Sequence, residues 1–229
     1  MTHYVLIPGA GGAGWIWSRV VPLLEAAGHT AVALDLPADD ESAGLPEYVE
    51  LTLAACGSSD DVVLVAQSLG GFTAVMAADE LCRAGRTPRG LVLLNAMVPV
   101  FGETPGGWWD AVGSEPERLA AAEAGGWSTD PYDLEAYFLH DVDPEVAAEG
   151  ERHQHNEAEA VFMSVCDVES WPPVPTRILA ASGDRFFPLS LQLKVARARV
   201  GLEPEIVPGG HLAALSQPEA IAEAILQPF

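Results

Sequence analysis

Six short apolar runs punctuate the chain: Tyr4–Ile7, Thr30–Leu34, Asp61–Ala66, Gly90–Leu94, Arg177–Ala180 and Glu205–Val207. Each is rich in β-branched residues or leucine and is bounded by Gly, Pro or Asp. Runs of this kind predict strands buried on both faces, as in a parallel sheet. Between them lie helical patterns at Trp17–Ala27, Pro46–Ala55 and Leu69–Ala84, followed by Gly28, Gly57 and Gly85. Glycine there suits the left-handed residue that closes a helix. The alternation predicts βαβ units: an α/β fold with a mainly parallel six-stranded sheet flanked by helices.

The alternation fails between Asn95 and Pro175, where the text turns helical or irregular and rich in Trp, Gly and acids. The simplest organisation is a core made of residues 1–95 and 176–229. A helical lid, residues 96–175, is inserted after the fourth strand. Charge marks it off. Residues 96–170 hold 17 acids and two bases, Arg118 and Arg152, out of 33 acids and 11 bases in all. A stretch so acidic reads first as a solvated helical face, and second as an electrostatic filter for substrates entering beneath it.

The net charge of −22 argues against nucleic acid and anionic membranes as partners. The N-terminal text shows no basic start followed by an apolar stretch, and no run approaches the ~18 residues of a membrane span. A soluble, cytoplasmic protein is expected. With 229 residues the chain can bury a core without a disulfide or metal. Cys56, Cys82 and Cys166 are too few and scattered to provide either. Oligomeric state is open.

The strongest chemical signal is Val65-Ala66-Gln67-Ser68-Leu69-Gly70-Gly71, between a predicted strand and a predicted helix. A nucleophilic serine on a strained strand–turn–helix needs small residues two before and two after it. Ala66 and Gly70 meet that need. Such a serine also needs a histidine base oriented by a carboxylate. His3 and His29 flank strands and read as structural. His140, His153 and His155 fall in the lid. His211, in Pro208-Gly209-Gly210-His211-Leu212, follows the last strand, and Asp184, in Gly183-Asp184-Arg185-Phe186-Phe187-Pro188, follows the fifth. All three residues lie past carboxyl ends of strands, where open α/β sheets place their sites.

The first loop, Ile7-Pro8-Gly9-Ala10-Gly11-Gly12-Ala13-Gly14, has two readings. It fits a dinucleotide fingerprint, with Asp35 near the expected acidic position. Its backbone could instead turn toward Ser68, making Ala10 and Leu69 the two amide donors to an oxyanion. The complete Ser68, Asp184, His211 set favours the second. The His153-Gln154-His155 triplet with His140 lacks the pattern of a metal site, and no cofactor is expected. Trp108, Trp109 and Phe138 of the lid, with Phe186, are candidates for an apolar substrate pocket.

These segments together resemble the α/β-hydrolases. The resemblance points to the branch of plant methylesterases, salicylate-binding proteins and hydroxynitrile lyases, in a bacterial form, since ten of the 11 bases are arginine. The matching text is VLIPGAGGAGWIWSRVVPLLEAAGHTAVALDLP, LVAQSLGGFTA, GDRFFP and PGGHLAALSQPE. The lid matches loosely. The resemblance implies the nucleophile Ser68, the acid Asp184, the base His211, oxyanion amides from Ala10 and Leu69, and no cofactor. Pro8 stands where that branch usually has histidine. Leu212 stands where its hydroxynitrile lyases carry lysine, which disfavours cyanohydrin cleavage. The expected function is hydrolysis of a neutral, moderately apolar ester or lactone, a small-molecule substrate. Alternatives are a tailoring enzyme of lyase, cyclase or dehydratase type using the same site, and a small-ligand receptor.

Overall fold

The computed structural model describes residues 1–153 and 155–229. Its strands are β1 (His3–Ile7), β2 (Thr30–Ala33), β3 (Val62–Gln67), β4 (Gly90–Leu94), β5 (Thr176–Ala181) and β6 (Glu205–Val207). All neighbours pair in parallel, in the order β2-β1-β3-β4-β5-β6. This is the predicted six-stranded α/β sheet, with each run displaced by at most a residue or so. Side-chain alternation explains why the inner runs are apolar throughout, whereas β2 and β6, expected to be buried on both faces, lie at the sheet edges and leave Thr30, Glu205 and Ile206 exposed. Val63 and Val65 of β3 join a cluster with Trp17, Leu24 and Ile221 on one face. Leu64 and Ala66 join Tyr48, Phe72 and Leu191 on the other. Each buried Val, Leu, Ile or Phe side chain here stabilises the fold by about 1.5–3 kcal/mol.

The helices, in chain order, are α1 (Val21–Ala26), α2 (Leu45–Cys56), α3 (Gly70–Arg83), α4 (Pro105–Val112), α5 (Ser114–Gly125), α6 (Pro144–Gly150), α7 (Glu159–Met163), α8 (Leu189–Val200), α9 (Ala213–Ser216) and α10 (Pro218–Leu226). The predicted helix over 17–27 is instead a 3-10 turn, Gly14–Trp17, followed by the short α1. Pro22 is the reason: its ring would clash with the carbonyl four residues earlier, so no helix runs through from Trp17. The other two predicted helices appear as α2 and α3.

Between β4 and β5 the chain leaves the sheet for α4 to α7 and a π-helical turn, Glu135–Leu139. This excursion is tied down by polar contacts to the rest of the chain. Arg199 of α8 grips the Glu103 carboxylate in a nearly buried ion pair. The Ala158 N–H donates to the Ala38 carbonyl at 2.7 Å. Inside the excursion, Arg118 and Tyr137 pair with each other and with the carbonyls of Thr129 and Ser128. Among the described residues, no helix is long and apolar enough to cross a membrane.

Candidate active site

Ser68 follows the last residue of β3, and one residue, Leu69, separates it from α3. Its φ of +52° is unusual for a residue with a side chain. Holding that conformation costs about 1–3 kcal/mol, which the surrounding packing must offset. The neighbours explain the sequence around it. A Cβ on Gly70 would collide with the Pro8 carbonyl oxygen. A Cβ on Gly9 would sit 2.5 Å from Gln67 Oε1 and 2.8 Å from Ser68 Cβ. The first loop and the serine turn therefore touch, and only glycine lets them.

The three sequence-predicted residues meet. His211 Nε2 lies 3.1 Å from Ser68 Oγ, and His211 Nδ1 lies 2.8 Å from Asp184 Oδ2. The Asp184 and His211 side chains are buried. Asp184 Oδ1 accepts the backbone N–H groups of Phe186 and Phe187, both at 2.8 Å. An ionised Asp184 makes Nδ1 the donor, which leaves the Nε2 lone pair for the serine hydroxyl. Three phenyl rings, of Phe138, Phe186 and Phe187, stand edge-on to the imidazole with centroids 5.0–5.2 Å away. They exclude water and strengthen the hydrogen bonds inside.

Ala10 and Leu69 line the same cavity as Ser68. Among the described residues, neither N–H has a hydrogen-bond partner. The first loop closes as a turn, the Gly12 N–H donating to the Gly9 carbonyl at 3.1 Å. The dinucleotide reading finds no support in this loop. Only four residues of 3-10 helix follow it, and Asp35 is occupied by the Gly14 N–H at 2.9 Å.

The cavity over Ser68 has a volume of about 500 Å3. Trp109, Phe138 and Phe186 line it, as the sequence suggests, and so does Phe162. Trp108 does not. Its ring is 1% exposed, its indole N–H donates to the Val98 carbonyl at 3.1 Å, and it packs on Phe187 as core. Successive positions on a helix point about 100° apart, and here that turns Trp109 to the cavity while Trp108 packs into the core. Among the described residues, the ionisable lining residues are Glu151, His155, Glu157 and His211, with no Lys or Arg. Of the His153-Gln154-His155 triplet, Gln154 lies outside the described residues. His153 stacks on Trp15 at 5.4 Å. Among the described residues, no group of three or more His, Cys, Asp or Glu is placed to hold a metal.

Sequence reasoning missed four residues that hold the site. Asn95, at φ +46° just past β4, donates its amide to the Gly210 and His211 carbonyls and accepts the Ala181 N–H. Gln67 donates to the His211 carbonyl at 3.2 Å. Asp141 Oδ2 accepts the Gly210 N–H at 2.6 Å and the Ser216 hydroxyl at 2.8 Å. Glu157 accepts the Gly11 N–H and the Tyr48 hydroxyl, both at 2.6 Å. An asparagine closing a buried strand was a usable signal, because Asn tolerates the left-handed region. Asp141 and Glu157 gave none: each is one of many acids in an acidic stretch. Burial pushes the Glu157 carboxyl above its usual value, and its two hydrogen bonds pull it partly back.

Known proteins fit this picture. Methylesterase 9 of Arabidopsis thaliana is 33% identical over 152 residues, 61% of this chain and 58% of its own. Norfluorocurarine synthase 1 of a Strychnos species is 40% identical over 88 residues, 34% of this chain and 33% of its own. The matched stretches thus span between a third and three fifths of these relatives. The crystal structure of polyneuridine aldehyde esterase superposes with a TM-score of 0.78 at 20% identity, covering 99% of this chain and 98% of the other, and shows the shared fold. A model of the alpha/beta hydrolase family matches residues 4–224, from β1 to within α10. Sheet order, serine turn and strand-end loops all lie inside that match, and the chain belongs to the alpha/beta hydrolase family.

Proposed function

We propose that this chain is a serine hydrolase that cleaves a neutral, moderately apolar carboxylic ester or lactone through an acyl-enzyme. The observation that carries this reading is the hydrogen-bonded relay Ser68–His211–Asp184 at the wall of a cavity with aromatic lining. His211 Nε2 takes the hydroxyl proton as Ser68 Oγ attacks the carbonyl carbon. Asp184 holds the imidazole tautomer and stabilises its positive charge. The Ala10 and Leu69 amides receive the developing oxyanion. His211 then returns the proton to the leaving alcohol. A water deprotonated by His211 next attacks the acyl carbon, and Ser68 leaves with the proton.

Residues 96–175 act as the lid. They supply Trp109, Phe138 and Phe162 to the cavity and most of the chain's negative charge. Phosphate-bearing thioesters such as acyl-CoA approach a repulsive field and meet no cationic lining side chain. Neutral esters do not. The names of two relatives, a methylesterase and a polyneuridine aldehyde esterase, support ester chemistry. The norfluorocurarine synthase match favours a second reading, in which the same site runs a tailoring reaction without net hydrolysis.

The test is turnover of a p-nitrophenyl ester series from acetate to decanoate by the wild type and by Ser68→Ala. Many turnovers per protein that vanish in the variant are expected, with a chain-length optimum set by the cavity. A higher kcat/KM for an acyl-CoA than for the neutral ester of the same acyl chain would sink the charge argument. Fluorophosphonate labelling of Ser68 without turnover of any ester would favour the tailoring reading.

A further inference from the structure

The oxyanion turn carries an unusual restraint. Gly11 sits at its second corner with φ +86°, and its N–H is not used within the turn. Its acceptor comes from 146 residues downstream: Glu157 Oε2, at 2.6 Å. The other carboxylate oxygen, Oε1, accepts the hydroxyl of Tyr48, a buried residue of α2, also at 2.6 Å. The next residue, Ala158, is pinned through its N–H to the Ala38 carbonyl. The His155 carbonyl packs so close that a Cβ on Gly11 would lie 3.0 Å from it. Pro8, upstream, has neither an N–H nor a polar side chain with which to hold the turn from that side.

We propose that Glu157 is a positioning residue for the oxyanion hole, locking the Gly9–Gly12 turn so that the Ala10 N–H faces the reacting carbonyl. The proposal rests on the hydrolase reading above. The peptide planes on either side of Ala10 share its Cα. Fixing the Gly11 N–H therefore limits the swing of the Ala10 N–H. Oxyanion donors act by being held in place before charge develops, so a loosened turn loses rate rather than ground-state affinity. Through Glu157, the excursion between β4 and β5 becomes part of the catalytic apparatus as well as a cover for it.

The test compares Glu157→Ala and Glu157→Gln with wild type, in ester kinetics and in the second-order rate of fluorophosphonate labelling of Ser68. Glutamine keeps a carbonyl oxygen for the Gly11 N–H, and its amide can donate to the Tyr48 hydroxyl oxygen. Glu157→Ala is expected to lower kcat roughly 10- to 100-fold with KM within about threefold, and to slow labelling in parallel. Glu157→Gln should restore both to within about fivefold of wild type. Backbone hydrogen exchange of the peptide holding residues 9–12 should rise in Glu157→Ala and return in Glu157→Gln. An active wild type whose Glu157→Ala variant keeps its kcat, or loses only KM, overturns the positioning role and leaves the hydrolase reading intact. Equal losses in both variants also overturn it. A wild type that neither turns over esters nor labels overturns both readings together.

Discussion

The sheet-end loops and the excursion between β4 and β5 meet at one cavity but are built on different physics. The loops carry Ser68, Asp184 and His211 at the ends of β3, β5 and β6, on strands whose buried side chains fix their spacing. The excursion carries no part of the relay. It reaches the site through carboxylates on backbone amides, Asp141 on Gly210 and Glu157 on Gly11, and through Phe138 against the imidazole. The hydrogen-bonded trio thus sits on loops anchored by parallel strands. The excursion supplies restraint, apolar surface and charge. An inserted segment can vary in sequence while the chemistry below it stays in register, provided that it keeps those few contacts.

The largest effect that bears on this contrast is expected on the sheet side. In Asp184→Asn the carbonyl oxygen should stay on the Phe186 and Phe187 amides, because they can only donate. That turns the Asn NH2 toward His211 Nδ1 and forces the proton onto Nε2, where it blocks Ser68. Turnover should fall by about 10⁴-fold with the fold retained, read from ester kinetics and circular dichroism. A loss below tenfold would mean that the relay does not govern the rate.

A middle-sized effect compares the two supports of the His211 loop. Asn95→Ala removes three hydrogen bonds at a fully buried site and puts alanine at positive φ. It should cost about 2–4 kcal/mol, or roughly 5–15 °C in Tm. Asp141→Ala removes two acceptor contacts from a half-buried carboxylate whose other oxygen is buried without a partner among the described residues. Losing that unpaired oxygen offsets part of the damage, so about 1–2 kcal/mol is expected. Thermal melts of both variants give the order. If Asp141→Ala were the more damaging, the excursion and not the sheet would bear the loop.

The smallest effect concerns pH. Burial, reinforced by the nearby Arg185 charge and only partly opposed by Asp141, Asp184 and a hydrogen bond at Gly183, lowers the His140 pKa from its ordinary 6.5. The unfolded chain therefore binds a proton there before the folded one does. Stability attributable to His140 is present above that value and falls as pH drops through it. In His140→Gln, Tm should decline less than in wild type between about pH 7.5 and about pH 5.5. Parallel melting curves for the two proteins would show that His140 does not titrate differently on folding.

How much of this was legible beforehand follows from the same contrast. The four inner strands could be read because a parallel sheet buries both their faces and leaves a nearly unbroken apolar run; the edge strands β2 and β6 were legible only from their short β-branched text between turn residues. The relay could be read because each of its members lies next to such a run. Trp108 was misread because an aromatic-rich stretch does not say which ring faces a cavity. That depended on the turn of α4 against Val98 and Phe187. The predicted helix over 17–27 starts later, because the apolar pattern runs through Pro22 while the backbone cannot, and α1 begins only at Val21.

By itself, then, the sequence determined the sheet, the serine turn with its obligatory small neighbours, which serine, aspartate and histidine lie at strand ends, and the acidic character of the excursion. All of these are local: they rest on period, on steric limits within a few residues, or on charge counts. Only the tertiary structure decided that Glu157 meets Gly11, that Asp141 meets Gly210, and that Asn95 and Gln67 hold the His211 loop from beneath. Those contacts join residues 69 to 146 positions apart along the chain, apart from the strand-end pairings that place them. A hydrogen-bonding side chain in irregular structure has many possible partners, and only the packed fold selects one.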